Sequence, residues 1–208
     1  FTSRDERYAE AFWQAFELFR RANPPYLGPN WISAQEAALR ILTFTLAYHL
    51  FAGSPASTAE RMAAMGQALA EHARRILPSL SYARAQHNNH LLSEAAGLYT
   101  TGLALPNHPM AGAWRNSGWR WFNHGLNSQI EDDGTYTQHS LNYHRLMLQL
   151  ALWMDTLRQI GGVRWPLATE QRLKEAAAWL AALVDPTSGQ APNLGPNDGA
   201  YILPLTVR

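Results

Sequence analysis

The chain has 208 residues, of which 47% are hydrophobic and 16% are charged. A chain of this length and composition can bury a hydrophobic core, so we expect a soluble globular domain, or part of one, and not a disordered tail, a collagen-like repeat or a coiled coil. There is no cysteine, which excludes disulfide bonds, cysteine-based zinc sites and thiol nucleophiles.

The formal net charge is +1, and so weak a field predicts no nucleic-acid partner. Of the 17 basic residues, Lys174 is the only lysine. Arginine suits bidentate binding of carboxylate or sulfate groups. A genome rich in G and C bases would produce the same bias.

No segment reaches the roughly 18 consecutive apolar residues of a membrane-spanning helix. The most apolar stretch, residues 41–52, is interrupted by Thr43, Thr45 and His49. The chain begins at Phe1 without a targeting signal. We therefore expect a piece of a longer protein whose signal was removed or lies upstream.

Seven helices are predicted from their start and stop signals. Capping boxes of the form Ser-x-x-Glu begin the first three at Ser3, Ser33 and Ser57. The predicted helices run over residues 3–22, 33–51, 57–77, 90–104, 109–129, 137–160 and 169–184. The only candidate for a strand is the stretch from Tyr201 to Val207.

Helices of this length joined by short turns predict an all-α fold of antiparallel hairpins. The hairpins could form a bundle, or they could form an α/α array with a concave face. We assign residues 1–184 to this helical domain. Residues 185–208 are rich in Gly, Pro and Asn, which indicates a loop-rich connection towards another domain.

Residues that can move protons concentrate between positions 87 and 144, where six of the eight histidines lie. Asn88 and Asn89 could cap a helix. His90 and Glu94 are four residues apart and share a helical face. Glu94 could orient the imidazole, or the two could be metal ligands that lack a third. Because no HExxH pattern follows, no metal site is predicted.

A second polar cluster lies further along the chain. Tyr136, His139 and Tyr143 have the spacing of one helical stripe and would project together. Tyr143 could instead belong to the core. The preceding Asp132 and Asp133 are typical of a turn, although a pair of carboxylates also suits a glycosidase.

Three motifs in this order resemble those of the heparinase II/III-like polysaccharide lyases. They are NNHLLSEA at 88–95, DGTYTQHSLNYHR at 133–145 and PNLGPNDG at 192–199. The earlier segment WISAQEAALR at 31–40 is also similar. A single motif is weak, but three in the correct order are fairly specific.

The resemblance implies part of an incomplete α/α toroid, which in this family precedes a C-terminal β-sandwich of the same parent chain. This chain resembles the later hairpins of the toroid and stops where the sandwich would begin. Family members take a further His or Tyr, and sometimes a structural metal, from the sandwich. We therefore expect no cofactor in this segment, a structural metal only in the missing domain, and weak or no activity without that domain.

The resemblance also implies cleavage of uronic-acid-containing polysaccharides by β-elimination. Asn89 and His90 would neutralise the uronate carboxylate. Tyr143 would donate a proton to the leaving oxygen, and could act as the base only beside a positive group such as Arg145 or a protonated histidine. The predicted substrate contacts are Asn88, Glu94, Tyr136, Gln138, His139, Arg145, Asn193 and Asn197.

The expected partner is an acidic polysaccharide, which predicts a periplasmic or secreted location. Three alternatives stay open. The first is a non-catalytic toroid that binds acidic polysaccharide during cell-surface assembly. The second is a hydrolytic toroid in which Glu94 pairs with Asp132 or Asp133 across a cleft. The third is a purely structural helical array.

Overall fold

The computed structural model describes residues 5–200 and 202. Within them, seven helices of 16–20 residues and one of 7 residues account for the architecture. The part of the chain that the structure describes has no strand beyond one isolated bridge between Ile130 and Tyr136, so the all-α prediction is confirmed. The helices are Glu6–Ala22 (α1), Ala34–Phe51 (α2), Ala59–Ile76 (α3), Leu80–Gln86 (α4), Asn89–Ala104 (α5), Ala111–Gln129 (α6), Leu141–Ile160 (α7) and Leu167–Leu183 (α8).

The predicted helix starts are close, but two of the three capping residues are wrong. Ser33 does cap α2 through the N–H of Glu36. The cap of α1 is Asp5, whereas Ser3 lies outside the described residues. The cap of α3 is Thr58, because the hydroxyl of Ser57 already accepts from Trp13 Nε1 and donates to the Phe51 carbonyl.

The short helix α4 is absent from the prediction. The sequence predicts that the third helix ends at residue 77, before Pro78, but Pro78 lies in a 3-10 turn, Leu77–Ser79, that leads directly into α4. Proline is compatible with the first positions of a helical turn, where its missing N–H has no partner to lose. The chain then leaves α4 through His87, whose φ of 49° is left-handed.

The predicted start of α7 at residue 137 is wrong, and so is the stripe of Tyr136, His139 and Tyr143. The α6–α7 loop covers residues 130–140, and α7 begins at Leu141. The loop contains Gly134 at φ 86° and His139 at φ 48°, and neither conformation continues a right-handed helix.

The long helices form an inner and an outer layer. The inner helices α2, α5 and α7 run parallel. Near their starts, Gln35 of α2 is hydrogen-bonded to Ser93 of α5. In their second halves, Thr100 of α5 accepts a hydrogen bond from Trp153 of α7. The outer helices α3, α6 and α8 run antiparallel to them, and α1 packs antiparallel on α2. This arrangement is part of an α/α toroid, and nearly every residue of α5 is buried within it.

Glycines set the distance between α5 and its neighbours. A Cβ on Gly118 of α6 would lie 2.5 Å from the backbone N of Tyr99 and 2.6 Å from the carbonyl O of Ala95. A Cβ on Gly97 of α5 would lie 2.9 Å from the Cβ of Ala38 on α2. The backbones are in direct contact at these points, so α5 has a fixed position in the array.

The segment after α8 has no regular structure in its described part, but it packs back onto α7. The N–H of Leu141 donates to the carbonyl of Leu194 at 3.0 Å, and the Ser140 hydroxyl donates to the Pro196 carbonyl. Gly195, at φ 73°, lies so close to the His139 carbonyl that a Cβ would overlap it. The stretch from Tyr201 to Val207 lies outside the described residues except for Ile202, and the division at residue 184 stays a prediction.

None of the described helices combines the length and the apolar character needed to cross a membrane.

The close approach at Gly118 predicts a stability difference between two glycines of α6. Gly118→Ala should lower the free energy of unfolding by about 1–3 kcal/mol, because backbone atoms cannot yield to the new methyl group. Gly112→Ala is the matched control, since no atom lies within 4 Å of its Cβ position. It should stabilise the helix by roughly 0.5–1 kcal/mol. Denaturant unfolding measures both, and equal midpoints for the two variants would contradict the packing described.

Candidate active site

One end of the array collects the starts of the three inner helices. The capping residues Ser33, Asn88 and Ser140 each accept a hydrogen bond from a backbone N–H of the first turn. Because the start of a helix carries partial positive charge, three parallel helix starts make this end suited to an anionic ligand.

The first turn of α5 is fixed to the α6–α7 loop by amide side chains. The N–H of Asn89 donates to Oε1 of Gln138 at 2.9 Å. Nε2 of Gln129 donates to the carbonyl of Asn88 at 3.0 Å, and Oε1 of Gln129 accepts from the hydroxyl of Tyr136 at 2.8 Å. These bonds bring the first and second motifs into contact.

Two of these residues are buried. Tyr136 is 2% exposed, its hydroxyl is bonded within the protein, and burial raises the pKa of that hydroxyl. Asn89 is 4% exposed. Tyr136 therefore holds the loop in place and offers no free hydroxyl to a substrate.

Tyr143 lies in the first turn of α7 with its hydroxyl at the surface. The hydroxyl donates to Oδ2 of Asp198 at 2.8 Å, and Nδ2 of Asn142 donates to Oδ1 at 3.0 Å. Accepting this bond, the carboxylate raises the pKa of Tyr143, and the same bond lowers the pKa of Asp198. Tyr143 is thus held in its protonated form beside an ionised carboxylate.

The charge beside Tyr143 is opposite to the one that a base would need. Nε of Arg145 donates to the Leu141 carbonyl of its own helix at 3.3 Å. His139 is exposed in the loop and does not lie on α7. With Asp198 bonded to the hydroxyl, the local electrostatics favour Tyr143 as a proton donor and oppose its use as a base.

Asp198 is a candidate that the sequence analysis missed. The predicted contacts Asn193 and Asn197 are exposed and bond each other, with Nδ2 of Asn197 donating to Oδ1 of Asn193 at 2.6 Å. They shape the turn that presents Asp198 to α7. The one available signal was its place in the third motif, at Asn197-Asp198-Gly199, which also fits an ordinary turn.

His90 and Glu94 have different surroundings although they share a helix. His90 is half-buried, and burial lowers its pKa, which favours the neutral imidazole. Glu94 is 2% exposed, and burial raises its pKa to about 8 against the opposing effects of Arg75 and Ser79. Its Oε2 has no hydrogen-bond partner among the described residues. The side chain therefore faces α3 and the turn after it, and no described contact links it to His90.

Other polar residues of the two clusters have structural surroundings. Nε2 of His144 bonds the Ala176 carbonyl at 2.9 Å, and the ring stacks on Trp179. Asp133 accepts from the N–H of Thr135 at 2.9 Å, as expected of a turn. Over residues 5–200 and 202, no group of three or more His, Cys, Asp or Glu could hold a metal ion.

Comparison with known proteins adds the family context. The family model described as Heparinase II/III N-terminus matches residues 1–195. A heparin-sulfate lyase of Bacteroides thetaiotaomicron is 28% identical over 145 residues, which is 68% of this chain and 20% of that protein. A heparin-sulfate lyase of Bacteroides stercoris is 32% identical over 109 residues, or 52% of this chain and 16% of that protein. The chain thus spans a fifth or less of these relatives.

Solved structures share the fold. A crystal structure of heparinase III matches with a TM-score of 0.76 and 24% identity, covering 94% of this chain and 30% of that one. The heparan sulfate lyase HepC from Pedobacter heparinus matches with a TM-score of 0.63 and 21% identity, covering 90% of this chain and 30% of that one. At these identities the likeness establishes the toroid fold alone.

The burial of Glu94 predicts a pH-dependent stability. A carboxyl whose pKa is about 8 in the folded chain, and lower when unfolded, retains its proton only in the native state between those values. The free energy of unfolding should therefore fall as pH rises from about 5 to 8, by up to roughly 1.4 kcal/mol per pH unit. Glu94→Gln should remove this slope, and the control Glu60→Gln, at an exposed position, should retain it. Denaturant unfolding across this range measures both, and an unchanged slope in Glu94→Gln would refute the assignment.

Proposed function

The chain belongs to the heparinase II/III family and corresponds to the N-terminal region of that family's proteins. We therefore propose that it is part of a polysaccharide lyase that cleaves uronic-acid-containing polysaccharide by β-elimination. The observation that carries the proposal is the convergence of the Asn88–His90 turn, the start of α7 and Asp198 at one end of the toroid. The relatives named heparin-sulfate lyase support a sulfated, uronate-containing polymer as the substrate class.

The chemistry of this reaction matches the groups at the site. A base takes the proton on C5, which places negative charge on the uronate carboxylate, and the C4–C5 double bond forms as the bond from C4 to the glycosidic oxygen breaks. Because Asp198 opposes the role of base for Tyr143, we assign that role to the further His or Tyr that family members take from the C-terminal domain. The side chains of Asn89 and the neutral His90 would hydrogen-bond the carboxylate and stabilise the developing charge. The convergent helix starts favour the same anion.

Tyr143 would supply the proton that the leaving oxygen requires. Its hydroxyl lies at the surface and remains protonated beside Asp198, which are the two properties of a general acid at this position. Three of the predicted substrate contacts are exposed near the start of α7, which carries Tyr143: Asn193, Asn197 and His139. A fourth, Gln138, accepts a hydrogen bond from the N–H of Asn89. These groups could bind sugar hydroxyls.

Two alternatives differ in what they would require. A hydrolytic toroid needs a pair of carboxylates across a cleft, but Asp132 pairs with Arg172, Asp133 holds its own turn and Glu94 is buried. A non-catalytic toroid that binds acidic polysaccharide would keep the anion-binding site but would not need the hydrogen bond between Tyr143 and Asp198. That pairing favours the enzyme.

We further propose that the active enzyme includes a C-terminal β-sandwich domain of the same parent chain, with a structural metal in that domain where one is present. The proposed substrate class occurs outside the cytoplasm, which supports a periplasmic or secreted location.

The direct test is a lyase assay on protein expressed from its complete coding sequence. Heparan sulfate, alginate and hyaluronate are supplied in turn while the ultraviolet absorbance of new C4–C5 double bonds is followed. We expect the signal on a sulfated glycosaminoglycan. Tyr143→Phe should reduce kcat by about 10²–10⁴-fold, the usual contribution of a general acid.

Tyr82→Phe is the matched control, because Tyr82 is 65% exposed and lies on α4. It should leave turnover unchanged. Full turnover in Tyr143→Phe would overturn the proposed acid. Binding of polysaccharide without double-bond formation on any polymer would favour the non-catalytic alternative.

A further inference from the structure

Two arginines and a tryptophan form a cluster that the proposed chemistry does not use. Arg84 of α4 has its Cζ 3.8 Å from the ring centroid of Trp121, and Arg120 of α6 has its Cζ 4.6 Å from the same centroid. His124 contacts the indole edge-on at 5.2 Å. We call Arg84, Arg120 and Trp121 the arginine–tryptophan cluster.

Neither arginine of the cluster has an acidic partner. Among the described residues, no carboxylate oxygen lies within 4.0 Å of Arg84 or Arg120, whereas Arg61, Arg158 and Arg172 are all paired with carboxylates. The two guanidinium carbons lie 3.8 Å and 4.6 Å from one ring centroid, so they are at most about 8.4 Å apart and repel each other. Both side chains are exposed, which leaves their N–H groups accessible.

The cluster lies beside the candidate active site. Arg84 is in the last turn of α4, four residues before Asn88. Gly125 of α6 packs against Leu92 of α5, which places Trp121 and His124 along the first turns of α5. The cluster is therefore next to the first turns of the helix that carries Asn89 and His90.

We infer that the arginine–tryptophan cluster is a second anion subsite, which binds a sulfate or carboxylate group on a sugar beyond the one that is cleaved. The cation–π contacts with the indole restrict the rotamers of both side chains. Each restrained guanidinium fork can bind two oxygens of an oxyanion, which suits it to sulfate or carboxylate better than a flexible lysine would be. This inference rests on the proposed function, because it takes the ligand to be an acidic polysaccharide.

The test measures binding, so it does not depend on turnover. The complete protein carrying Tyr143→Phe is titrated with a heparan sulfate oligosaccharide and with an unsulfated uronate oligosaccharide of equal length. Arg84→Gln and Arg120→Gln are added singly to this background. Each should weaken binding of the sulfated oligosaccharide about three- to tenfold, and the loss should shrink at high salt.

The matched control is Arg164→Gln. It removes the same charge from an exposed arginine in the loop after α7, at the opposite end of the array, and should change affinity less than twofold. Arg84→Lys keeps the charge and should give an intermediate loss, because an ammonium group cannot bind two oxygens as a fork. Circular dichroism and thermal melting verify that the variants are folded.

The two oligosaccharides separate the sources of the anion. A loss confined to the sulfated ligand identifies a sulfate subsite, and an equal loss with both identifies a carboxylate subsite. Losses in Arg84→Gln and Arg120→Gln no larger than that in Arg164→Gln would overturn the inference. Cluster-dependent binding by a protein that cleaves no polymer would preserve the subsite while refuting the lyase.

Discussion

The direct contact of the α5 backbone with its neighbours is the constraint on which the rest of the structure depends. Gly118 of α6 and Gly97 of α5 let the helices approach so closely that a Cβ at either position would overlap the neighbouring helix. This packing fixes the depth and rotation of α5, and therefore the position of Asn88, Asn89 and His90 at its start. Because α2 and α7 run parallel to α5, their starts lie at the same end, and the proposed chemistry is located there.

The second requirement is a charge arrangement around Tyr143 that packing alone would not supply. The chain after α8 returns to α7, where its backbone bonds Leu141 and Ser140, and it brings Asp198 to the hydroxyl. The ionised Asp198 carboxylate keeps the Tyr143 hydroxyl protonated and fixes its orientation. Glu94 lies one turn further along α5 than His90 and is in contrast buried towards Arg75 and Ser79, so its proton contributes to stability.

The helices could be predicted from the sequence because their signals are local. Ser33 and Asn88 have side chains that cap the next turn, and the α5 and α6 boundaries follow from adjacent proline and loop residues. The errors in the predicted helix starts arose where a residue distant in sequence determines the local structure. Ser57 is engaged by Trp13, so Thr58 caps α3 instead.

The α6–α7 loop has helical spacing of its aromatic residues, but Gly134 packs against the backbone of α8 and bends the chain. The motifs did predict which segments meet. Asn89 of the first motif is hydrogen-bonded to Gln138 of the second, as expected if the two motifs form one site. The sign of the charge at Tyr143 could not be predicted, because Asp198 is 55 residues away along the chain and no local pattern links the two. The arginine–tryptophan cluster has the same origin, since α4 was not predicted and Arg84 had no expected neighbour.

The pH dependence of kcat in the complete enzyme and in Asp198→Asn tests whether Tyr143 acts as an acid that Asp198 holds protonated. If Tyr143 must carry a proton, activity falls as pH rises through its pKa. Removing the carboxylate charge lowers that pKa, so the alkaline fall should move to lower pH in Asp198→Asn. If activity instead rose with pH, and Asp198→Asn raised it further near neutrality, Tyr143 would be acting as the base, which would contradict the proposed acid.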